Sequence, residues 1–317
     1  MTAKKRIVGV IGVGHVGAHV AFNLGMMGIA DEVLLCDKNE GKIISERQDL
    51  MDAVKFMPHR VEYKLAKYDE LKDCDVIVNS TGNIALCATG NRDDEMNFTA
   101  VQVADYIPKV IAGGFHGIIV NITNPCDVIT YLIAEKSGLP KGHVLGTGTG
   151  LDTSRLVSAI AQQTGLEHHS FNAYMMGEHG NAQMVPWSLM QFGGKSLADL
   201  QNDPRFVFDK EDIKNKTIKG GWVTYQGKQC TEYGIASTAA SMVAVILHDE
   251  RKIMPASVPF DGEYGETGIF CGCPAVIGAN GVEQVMEYNL PADEKAEFKK
   301  CCDTIRTNIA KAEKLLD

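Results

Sequence analysis

Side chains suited to proton transfer and anion binding occur at short spacings in the second half of this 317-residue chain. His179 stands in GEHGN, and an imidazole can take up or release a proton near neutral pH. Asp152 and Arg155 stand three residues apart in GTGLDTSRL, at the start of a helical pattern, so both can project from one helix face. A carboxylate can orient an imidazole, and a planar guanidinium can hold a carboxylate through two parallel hydrogen bonds. These residues are candidates for acid–base chemistry on an anionic substrate.

A glycine-rich turn near the N-terminus predicts binding of a dinucleotide. Gly12, Gly14 and Gly17 give G-x-G-x-x-G where an apolar strand runs into a helix, and Asp37 closes the next strand. The glycines permit a tight turn, approach of the backbone to a pyrophosphate, and close packing of helix on strand. A carboxylate at position 37 hydrogen-bonds an adenosine 2′-hydroxyl and repels a 2′-phosphate, which favours NAD over NADP. Lys38 beside it weakens that preference slightly.

Apolar runs alternate with helical patterns through the first half of the chain. Strands buried on both faces that alternate with helices are typical of a parallel sheet covered by helices. The strand segments are RIVGVIG, EVLLCD, VIVNST, GIIVNIT and HVLGTGT, and the helical segments are residues 16–27, 42–57, 94–112 and 128–137. We therefore predict an α/β protein whose residues 1–145 form a doubly wound Rossmann domain that binds the cofactor.

The pattern changes from Leu151 onward, where strands and helices no longer alternate regularly. The segments are a helix over 151–164, a strand pair in FNAYMMGEHG and AQMVPWSLM, helices through Lys219 and from Thr231 to Asp249, a glycine-rich meander, and a last helix over 292–316. This order predicts an α+β substrate domain over residues 146–317. Since no Pro/Ser-rich linker separates the halves, we expect a tight interface between them.

Composition excludes several classes of partner. The net charge of −9, from 40 acidic and 31 basic residues spread along the chain, argues against a nucleic-acid or membrane-surface partner. Glycines and histidines interrupt the N-terminal apolar run, which argues against a secretory signal, and no segment reaches the roughly 18 apolar residues of a membrane span.

Nine cysteines without a framework predict reduced thiols in a cytoplasm. We expect no metal site, because Cys271 with Cys273 and Cys301 with Cys302 lack zinc-finger spacing.

Four stretches share one explanation. They are the loop GNIALCATGNRDD with Arg92, NITNPCDVIT, GTGLDTSRL and GEHGN, and KGGWVTYQGKQCTEYGIAST follows them. Together they closely resemble the L-lactate/malate dehydrogenase family over essentially the whole chain. Within the family the chain is most similar to the L-2-hydroxyisocaproate dehydrogenases, through STGNI, GFHGIIVNITNPCDVIT, GTGTGLDTSR and GEHGNAQ.

The resemblance implies a role for each matching residue. His179 is the acid–base residue, Asp152 holds its ring and stabilises the imidazolium, and Arg155 clamps the substrate carboxylate. Arg92 is carried by a loop that closes over the substrate, where its charge polarises the carbonyl. Asn124 hydrogen-bonds the substrate oxygen and helps align the nicotinamide. Further pocket residues are Thr231 and Ile235 beside the nicotinamide, although a buried helix face explains Ile235 almost as well, and Thr81 and Gly82 as cofactor contacts.

Substrate preference is expected to depend on Leu86. Six residues before Arg92, malate dehydrogenases carry an arginine and lactate dehydrogenases usually a glutamine, whereas every residue from Ile84 to Ala88 is apolar here. The resemblance therefore implies an NAD-dependent L-2-hydroxyacid dehydrogenase for acids with an apolar side chain, acting as a homodimer or homotetramer. An L-lactate dehydrogenase and a catalytically inactive NAD-binding protein are the alternatives.

Overall fold

The N-terminal half builds a parallel sheet whose strands alternate with helices. The computed structural model describes residues 4–83, 85–86 and 92–317, with only the backbone of residues 92 and 93. The elements are β1 (Ile7–Ile11), α1 (His15–Met26), β2 (Glu32–Cys36), α2 (Glu40–Ala53), β3 (Glu62–Leu65), β4 (Val76–Asn79), α3 (Arg92–Ala112), β5 (Ile118–Asn121), α4 (Cys126–Ser137) and β6 (Val144–Gly146). These strands lie in the order β3-β2-β1-β4-β5-β6 with parallel neighbours. The order reverses between β1 and β4, and α/β proteins bind ligands at the carboxyl ends of the strands there.

Burial explains why these segments form central strands. Every residue of β2, β4 and β5 is buried, as expected for strands covered on both faces. The predicted strands and helices of this half are confirmed, with shifts of a few residues at their ends. The prediction omitted β3, in which Lys64 and Leu65 are exposed. Such a polar edge strand lacks the apolar run that marks the others.

The C-terminal half continues the same sheet. Its elements are α5 (Gly150–Thr164), β7 (Phe171–Asn172), β8 (Met176–Gly177), β9 (Gln183–Met184), β10 (Gln191–Phe192), β11 (Lys195–Ser196), α6 (Lys210–Lys228), α7 (Tyr233–Leu247), β12 (Lys252–Asp261), β13 (Thr267–Gly278), β14 (Gly281–Val285) and α8 (Ala292–Leu316). The predicted meander is the antiparallel set β12, β13 and β14. Ser257 of β12 pairs with Gly146 of β6, so one mixed sheet runs through both halves.

The connection between α6 and α7 differs from the prediction. Gln229 follows α6 with φ of 63°, a left-handed residue that ends the helix. Thr231 therefore lies in the connection, and α7 begins only at Tyr233. The predicted helical start at Thr231 is wrong by two residues.

Buried apolar side chains join the two halves. One core contains residues of both, among them Val8, Ile119, Val243 and Ile277, so the contact between the halves is part of the protein interior. A second, smaller core lies under α5 and includes Leu156. No helix in the described part of the chain combines the length and apolar character needed to cross a membrane.

Candidate active site

A cleft with a volume of about 500 Å³ lies at the carboxyl ends of the parallel strands. Residues of both halves line it. Those predicted from the sequence are Gly12, Gly14, Asp37, Thr81, Gly82, Asn124, Asp152, Arg155, His179, Thr231 and Ile235. The fold thus brings most of the predicted site residues, which are spread over more than half of the chain, into one cavity.

The glycine-rich turn fits a dinucleotide. Gly12 has φ of +84°, and a Cβ there would lie 2.6 Å from the carbonyl oxygen of Ser80. A Cβ on Gly17 would lie 2.0 Å from the carbonyl oxygen of Gly12, so helix and turn pack without room for a side chain. A Cβ on Gly14 would meet nothing within 4 Å, which leaves the backbone open to the cleft. This open backbone at the first turn of α1 is the surface that a pyrophosphate requires.

Asp37 directly follows β2 and lines the cleft. Its Oδ2 accepts the main-chain N–H of Val13 at 2.8 Å, and its Oδ1 accepts that of Asn39 at 2.9 Å. The carboxylate therefore also fixes the glycine-rich turn. Lys38 donates to Gln102 of α3 at 2.9 Å and lies 5.1 Å from the ring centre of Phe98, so its ammonium group is held on α3.

His179, Asp152 and Arg155 form a connected chain of contacts. His179 lies in the turn between β8 and β9, and its Nδ1 is 2.6 Å from Oδ2 of Asp152. An ionised carboxylate only accepts hydrogen bonds, so Nδ1 carries the proton and Nε2 is the nitrogen that can exchange a proton with a substrate. Nη1 of Arg155, one turn along α5, donates to Oδ1 of Asp152 at 3.0 Å.

Charge pairing keeps Asp152 ionised in the interior. Its side chain is only 2% exposed, against 20% for that of His179. Burial alone would raise the pKa of Asp152, but the charges and hydrogen bonds of His179 and Arg155 hold that pKa below its usual value. A buried anion in this position can orient the imidazole and stabilise its protonated form.

Asp127 supports His179 from the N-terminal half and was not predicted. Its Oδ2 accepts the main-chain N–H of His179 at 2.7 Å, and its Oδ1 accepts the hydroxyl of Ser257 at 2.5 Å. Burial raises the pKa of Asp127 to about 6. The available signal was an acidic residue in the otherwise apolar first turn of α4, but its partners come from distant segments.

Two further unpredicted residues make room for Arg155. A Cβ on Gly220 would lie 3.2 Å from Cδ of Arg155, and one on Gly221 would lie 3.3 Å from its Nη2. Both glycines lie inside α6, where glycine costs about 1 kcal/mol relative to alanine. The GG pair in a helical pattern was the sequence signal for this close approach.

Gln183 is a fourth residue that the sequence prediction missed. It is buried, lines the cleft, and donates its amide to the carbonyl oxygen of Gly180 at 2.6 Å. Its buried Oε1 has no hydrogen-bond partner among the described atoms.

A buried polar network supports the cofactor end of the cleft. Thr81 donates to the hydroxyl of Tyr106 at 3.0 Å, which donates to Oδ1 of Asn79 at 2.5 Å. The amide of Asn79 donates to Oδ1 of Asn121 at 2.8 Å and so joins the ends of β4 and β5. Asn124 follows β5, and its carbonyl oxygen accepts the hydroxyl of Thr99 at 2.8 Å.

Three predicted residues are not placed in the cleft. Gly17 is not among the described residues that line it and packs against the carbonyl oxygen of Gly12. Arg92 begins α3, but its side chain lies outside the described residues. Leu86 is half-buried in a short helical turn, with its N–H donating to the carbonyl of Asn83, and it is not among the described residues that line the cleft. The apolar wall that the structure describes is instead on α6, where it comprises Ile218, Trp222 and Tyr225.

Comparisons with known proteins cover almost the whole chain. Residues 6–146 match the family described as lactate/malate dehydrogenase, NAD binding domain, and residues 149–316 match its alpha/beta C-terminal domain. The L-lactate dehydrogenase of Fusobacterium nucleatum subsp. nucleatum is 36% identical over 307 residues, 96% of each chain. L-lactate dehydrogenase 1 of Bifidobacterium longum subsp. longum is 38% identical over 309 residues, 96% of this chain and 98% of that one.

A solved structure agrees with these matches. The minor L-lactate dehydrogenase from Enterococcus mundtii, in its ligands-bound form, superposes with a TM-score of 0.92 at 31% identity, covering 97% of this chain and 98% of that one. The chain therefore belongs to the lactate/malate dehydrogenase family and is an NAD-dependent 2-hydroxyacid oxidoreductase.

Proposed function

We propose that this protein interconverts a 2-oxo acid that carries an apolar side chain and the corresponding L-2-hydroxy acid. The observation that carries the proposal is the contact chain from His179 through Asp152 to Arg155 in the cleft that holds the glycine-rich turn. A proton-transfer group and a carboxylate-binding group thus face one cavity. When bound, the nicotinamide cofactor supplies the hydride chemistry.

His179 handles the proton in both directions. With Nδ1 protonated toward Asp152, Nε2 takes the hydroxyl proton during oxidation, and the resulting imidazolium returns it to the carbonyl oxygen during reduction. The buried carboxylate of Asp152 stabilises the imidazolium while it exists. Asn124, at the end of β5 in the cleft, is assigned to the reacting oxygen.

Two arginines are assigned to different groups of the substrate. Arg155, supported by Gly220 and Gly221, binds the substrate carboxylate through parallel hydrogen bonds. Arg92 is assigned to the carbonyl oxygen, where a positive charge stabilises the developing alkoxide once water is excluded. Gly12, Gly14, Gly17, Asp37, Thr81 and Gly82 are assigned to the cofactor, and Thr231 and Ile235 to the pocket beside the nicotinamide.

The apolar side chain of the substrate is assigned to two surfaces. One is the wall of Ile218, Trp222 and Tyr225 on α6, the helix that also carries Gly221 beside Arg155. The other is the apolar stretch that contains Leu86. A second carboxylate on the substrate would lose its hydration there without gaining a charged partner. The free energy of this desolvation is larger than the free energy that apolar contacts of methylene groups contribute. Both features support a 2-hydroxyisocaproate-like substrate over malate.

An L-lactate dehydrogenase with relaxed specificity is the second candidate. It is favoured by the names of the two relatives and of the solved structure, all of which are L-lactate dehydrogenases. The two candidates share every residue assigned to proton transfer and carboxylate binding. They differ only in how well the pocket accepts a side chain larger than methyl.

We also propose a division into a cofactor domain over residues 1–145 and a substrate domain over 146–317, a cytoplasmic location, and assembly as a dimer or tetramer. The boundary falls between β6 and α5, where the strand–helix alternation ends. The cysteines in the described part of the chain are free thiols, which supports a reducing compartment. Light scattering of the purified protein measures the assembly.

The experiment that tests the reaction follows NADH absorbance in the presence of 2-oxoisocaproate or pyruvate, with chiral analysis of the product. We expect turnover with formation of the L-acid. We expect His179→Asn to bind NADH nearly normally, measured by its fluorescence, and to lose about 10²-fold or more in kcat. Absence of turnover with both acids would support the inactive NAD-binding alternative.

A further inference from the structure

A cluster of metal-binding side chains lies at the rim of the cleft, outside the reacting groups. His15 is the first residue of α1, and Cys230 and Glu232 lie in the connection between α6 and α7. One nitrogen, sulfur or oxygen atom from each of the three residues lies within 4.8 Å of the others. Cys230 and Glu232 are buried and His15 is exposed, so the cluster is open to solvent on the side of His15. We propose that His15, Cys230 and Glu232 bind a divalent transition-metal ion of the zinc class.

One pair of ligand atoms has the spacing of tetrahedral coordination. Zinc–ligand distances of about 2.0–2.3 Å place neighbouring ligand atoms about 3.3–3.8 Å apart. Nδ1 of His15 lies 3.6 Å from Oε1 of Glu232, which is within this range. The thiol of Cys230 donates a hydrogen bond to the same Oε1 at 2.5 Å, so these two atoms must separate by about 1 Å when an ion replaces the proton. A thiolate, an imidazole and a carboxylate are a donor set for zinc and not for Mg²⁺ or Ca²⁺, which prefer oxygen ligands.

His19 lies near the cluster, one helical turn along α1. Its Nδ1 lies 2.7 Å from the carbonyl oxygen of His15, and since a carbonyl only accepts, Nδ1 carries the proton. Its Nε2 lies 3.7 Å from Oε2 of Glu232, the oxygen to which Lys228 also donates. His19 is therefore outside the three-ligand set, and the fourth position of a tetrahedral ion is left to solvent.

The charges around the cluster are compatible with a cation. Lys228 donates to Oε2 of Glu232 at 3.1 Å, and Glu232 retains Oε1 for the ion while Lys228 holds its other oxygen. Lys228 also lies 3.9 Å from the ring centre of Tyr233. The charges of a divalent ion, the Cys230 thiolate and the Glu232 carboxylate add up to zero. The ammonium group of Lys228 then leaves one positive charge at the rim of the cleft.

The site joins the two halves of the molecule. His15 belongs to the cofactor half, whereas Cys230 and Glu232 belong to the substrate half, and both His15 and Cys230 line the cleft. A bound ion therefore ties α1 to the α6–α7 connection beside Thr231. No metal site was expected from the sequence, because Cys271 with Cys273 and Cys301 with Cys302 lack zinc-finger spacing. The cluster at the cleft was missed because His15 lies more than 200 residues before Cys230 and Glu232 in the chain.

The test is a titration of the full-length, chelator-treated protein with Cd²⁺, in the absence of substrate and cofactor. Thiolate coordination gives an ultraviolet charge-transfer band, and calorimetry with Zn²⁺ measures stoichiometry and affinity. We expect one ion per chain, loss of the band in Cys230→Ser, and affinity lower by about tenfold or more in His15→Ala, since even an outer-shell partner contributes this much. Exposed His116 and buried Cys74, outside the cluster, give the control variants His116→Ala and Cys74→Ser, which should bind as the unmodified protein does.

Three results would overturn the site. They are no saturable binding in the micromolar range, a charge-transfer band that persists in Cys230→Ser, and equal affinity in His15→Ala. His15 is exposed, so His15→Ala remains informative even where Cys230→Ser fails to fold. Because the readout uses no turnover, failure of the metal site and failure of the proposed reaction are separate results.

Discussion

The carboxylate of Asp127 accepts the main-chain N–H of His179 at 2.7 Å, although one belongs to the cofactor half and the other to the substrate half. The same carboxylate accepts the hydroxyl of Ser257 on β12. The turn that carries the proton-transfer group is therefore fixed by a residue at the start of α4. A contact between the two halves, in addition to local structure, therefore sets the position of His179.

Replacing Asp127 tests this support. Asp127→Asn keeps an acceptor for the His179 N–H and a donor for Ser257, so kcat should stay within a few-fold. Asp127→Leu leaves two buried polar groups unsatisfied, which costs about 1–3 kcal/mol for each group. We expect kcat to fall at least about tenfold in Asp127→Leu, with a lower midpoint in urea unfolding. Equal kcat in the two variants would contradict the role given to Asp127.

The difference in stability between the unmodified protein and Asp127→Asn should depend on pH. Because burial raises the pKa of Asp127 from 3.8 to about 6, the folded protein binds this proton more tightly than the unfolded chain does. The contribution of Asp127 to the free energy of unfolding is therefore present below pH 3.8 and is lost as the pH rises to about 6. The unmodified protein should lose stability relative to Asp127→Asn across this interval. A difference that stays constant or grows in favour of the unmodified protein would be inconsistent with a raised pKa.

Asp152→Asn tests the orientation of the imidazole. An amide can donate to Nδ1, which places the ring proton on Nε2 and removes the base needed for oxidation. We expect kcat for 2-hydroxy acid oxidation to fall about 10²-fold or more, while NADH binding changes little. Near-normal oxidation by Asp152→Asn would show that Asp152 does not hold the ring.

Gly221→Ala separates helix stability from substrate binding. Alanine is favoured over glycine in a helix by about 1 kcal/mol, but its Cβ would lie 3.3 Å from Nη2 of Arg155 and displace the guanidinium. We expect higher thermal stability and a KM for the 2-oxo acid raised about tenfold, the effect of weakening one charge-assisted hydrogen bond. Arg155→Lys should raise the KM as well, because a point charge cannot replace the paired contact.

Gly227→Ala is the matched control on the same helix. A Cβ on Gly227 meets nothing within 4 Å, so this variant should leave the KM unchanged. A KM that rises equally in Gly227→Ala and Gly221→Ala would attribute the effect to the helix as a whole.

Asp37→Ala tests the choice of cofactor. The carboxylate repels a 2′-phosphate, so the preference for NADH over NADPH in kcat/KM should narrow by about tenfold or more when the charge is removed. Efficiency with NADH itself should also fall, because Val13 loses its hydrogen-bond acceptor. Lys38→Ala should alter the ratio little, since Lys38 is held on α3 by Gln102. A preference for NADPH in the unmodified protein would refute the assignment of Asp37.

The features that were predicted correctly from the sequence are those that depend on the local sequence pattern. Apolar runs identified β1, β2, β4, β5 and β6, and the glycine-rich turn with Asp37 followed from spacing alone. The polar edge strand β3 and the left-handed residue Gln229 before Thr231 were missed, because both depend on neighbours that the local pattern does not contain.

The residues around the site show the same limit. The roles of His179, Asp152 and Arg155 were expected from the motifs that carry them. The support given by Asp127 and by Gly221 depends on tertiary contacts between segments far apart in the chain. The gathering of His15 with Glu232 likewise requires α1 to lie beside the α6–α7 connection.

The central claim is most directly tested by kcat/KM for pyruvate, 2-oxoisocaproate and oxaloacetate, measured on the unmodified protein, Leu86→Arg and the neighbouring control Ala85→Arg. Each buried methylene contributes about 0.8 kcal/mol, so the three extra carbons of the branched acid should favour it by roughly 1–2 kcal/mol after ordering costs. We predict that 2-oxoisocaproate is used at least as efficiently as pyruvate and that oxaloacetate is poor. Leu86→Arg should raise activity with oxaloacetate and depress it with the branched acid, while Ala85→Arg changes neither. Oxaloacetate ranking first with the unmodified protein would contradict the apolar substrate pocket.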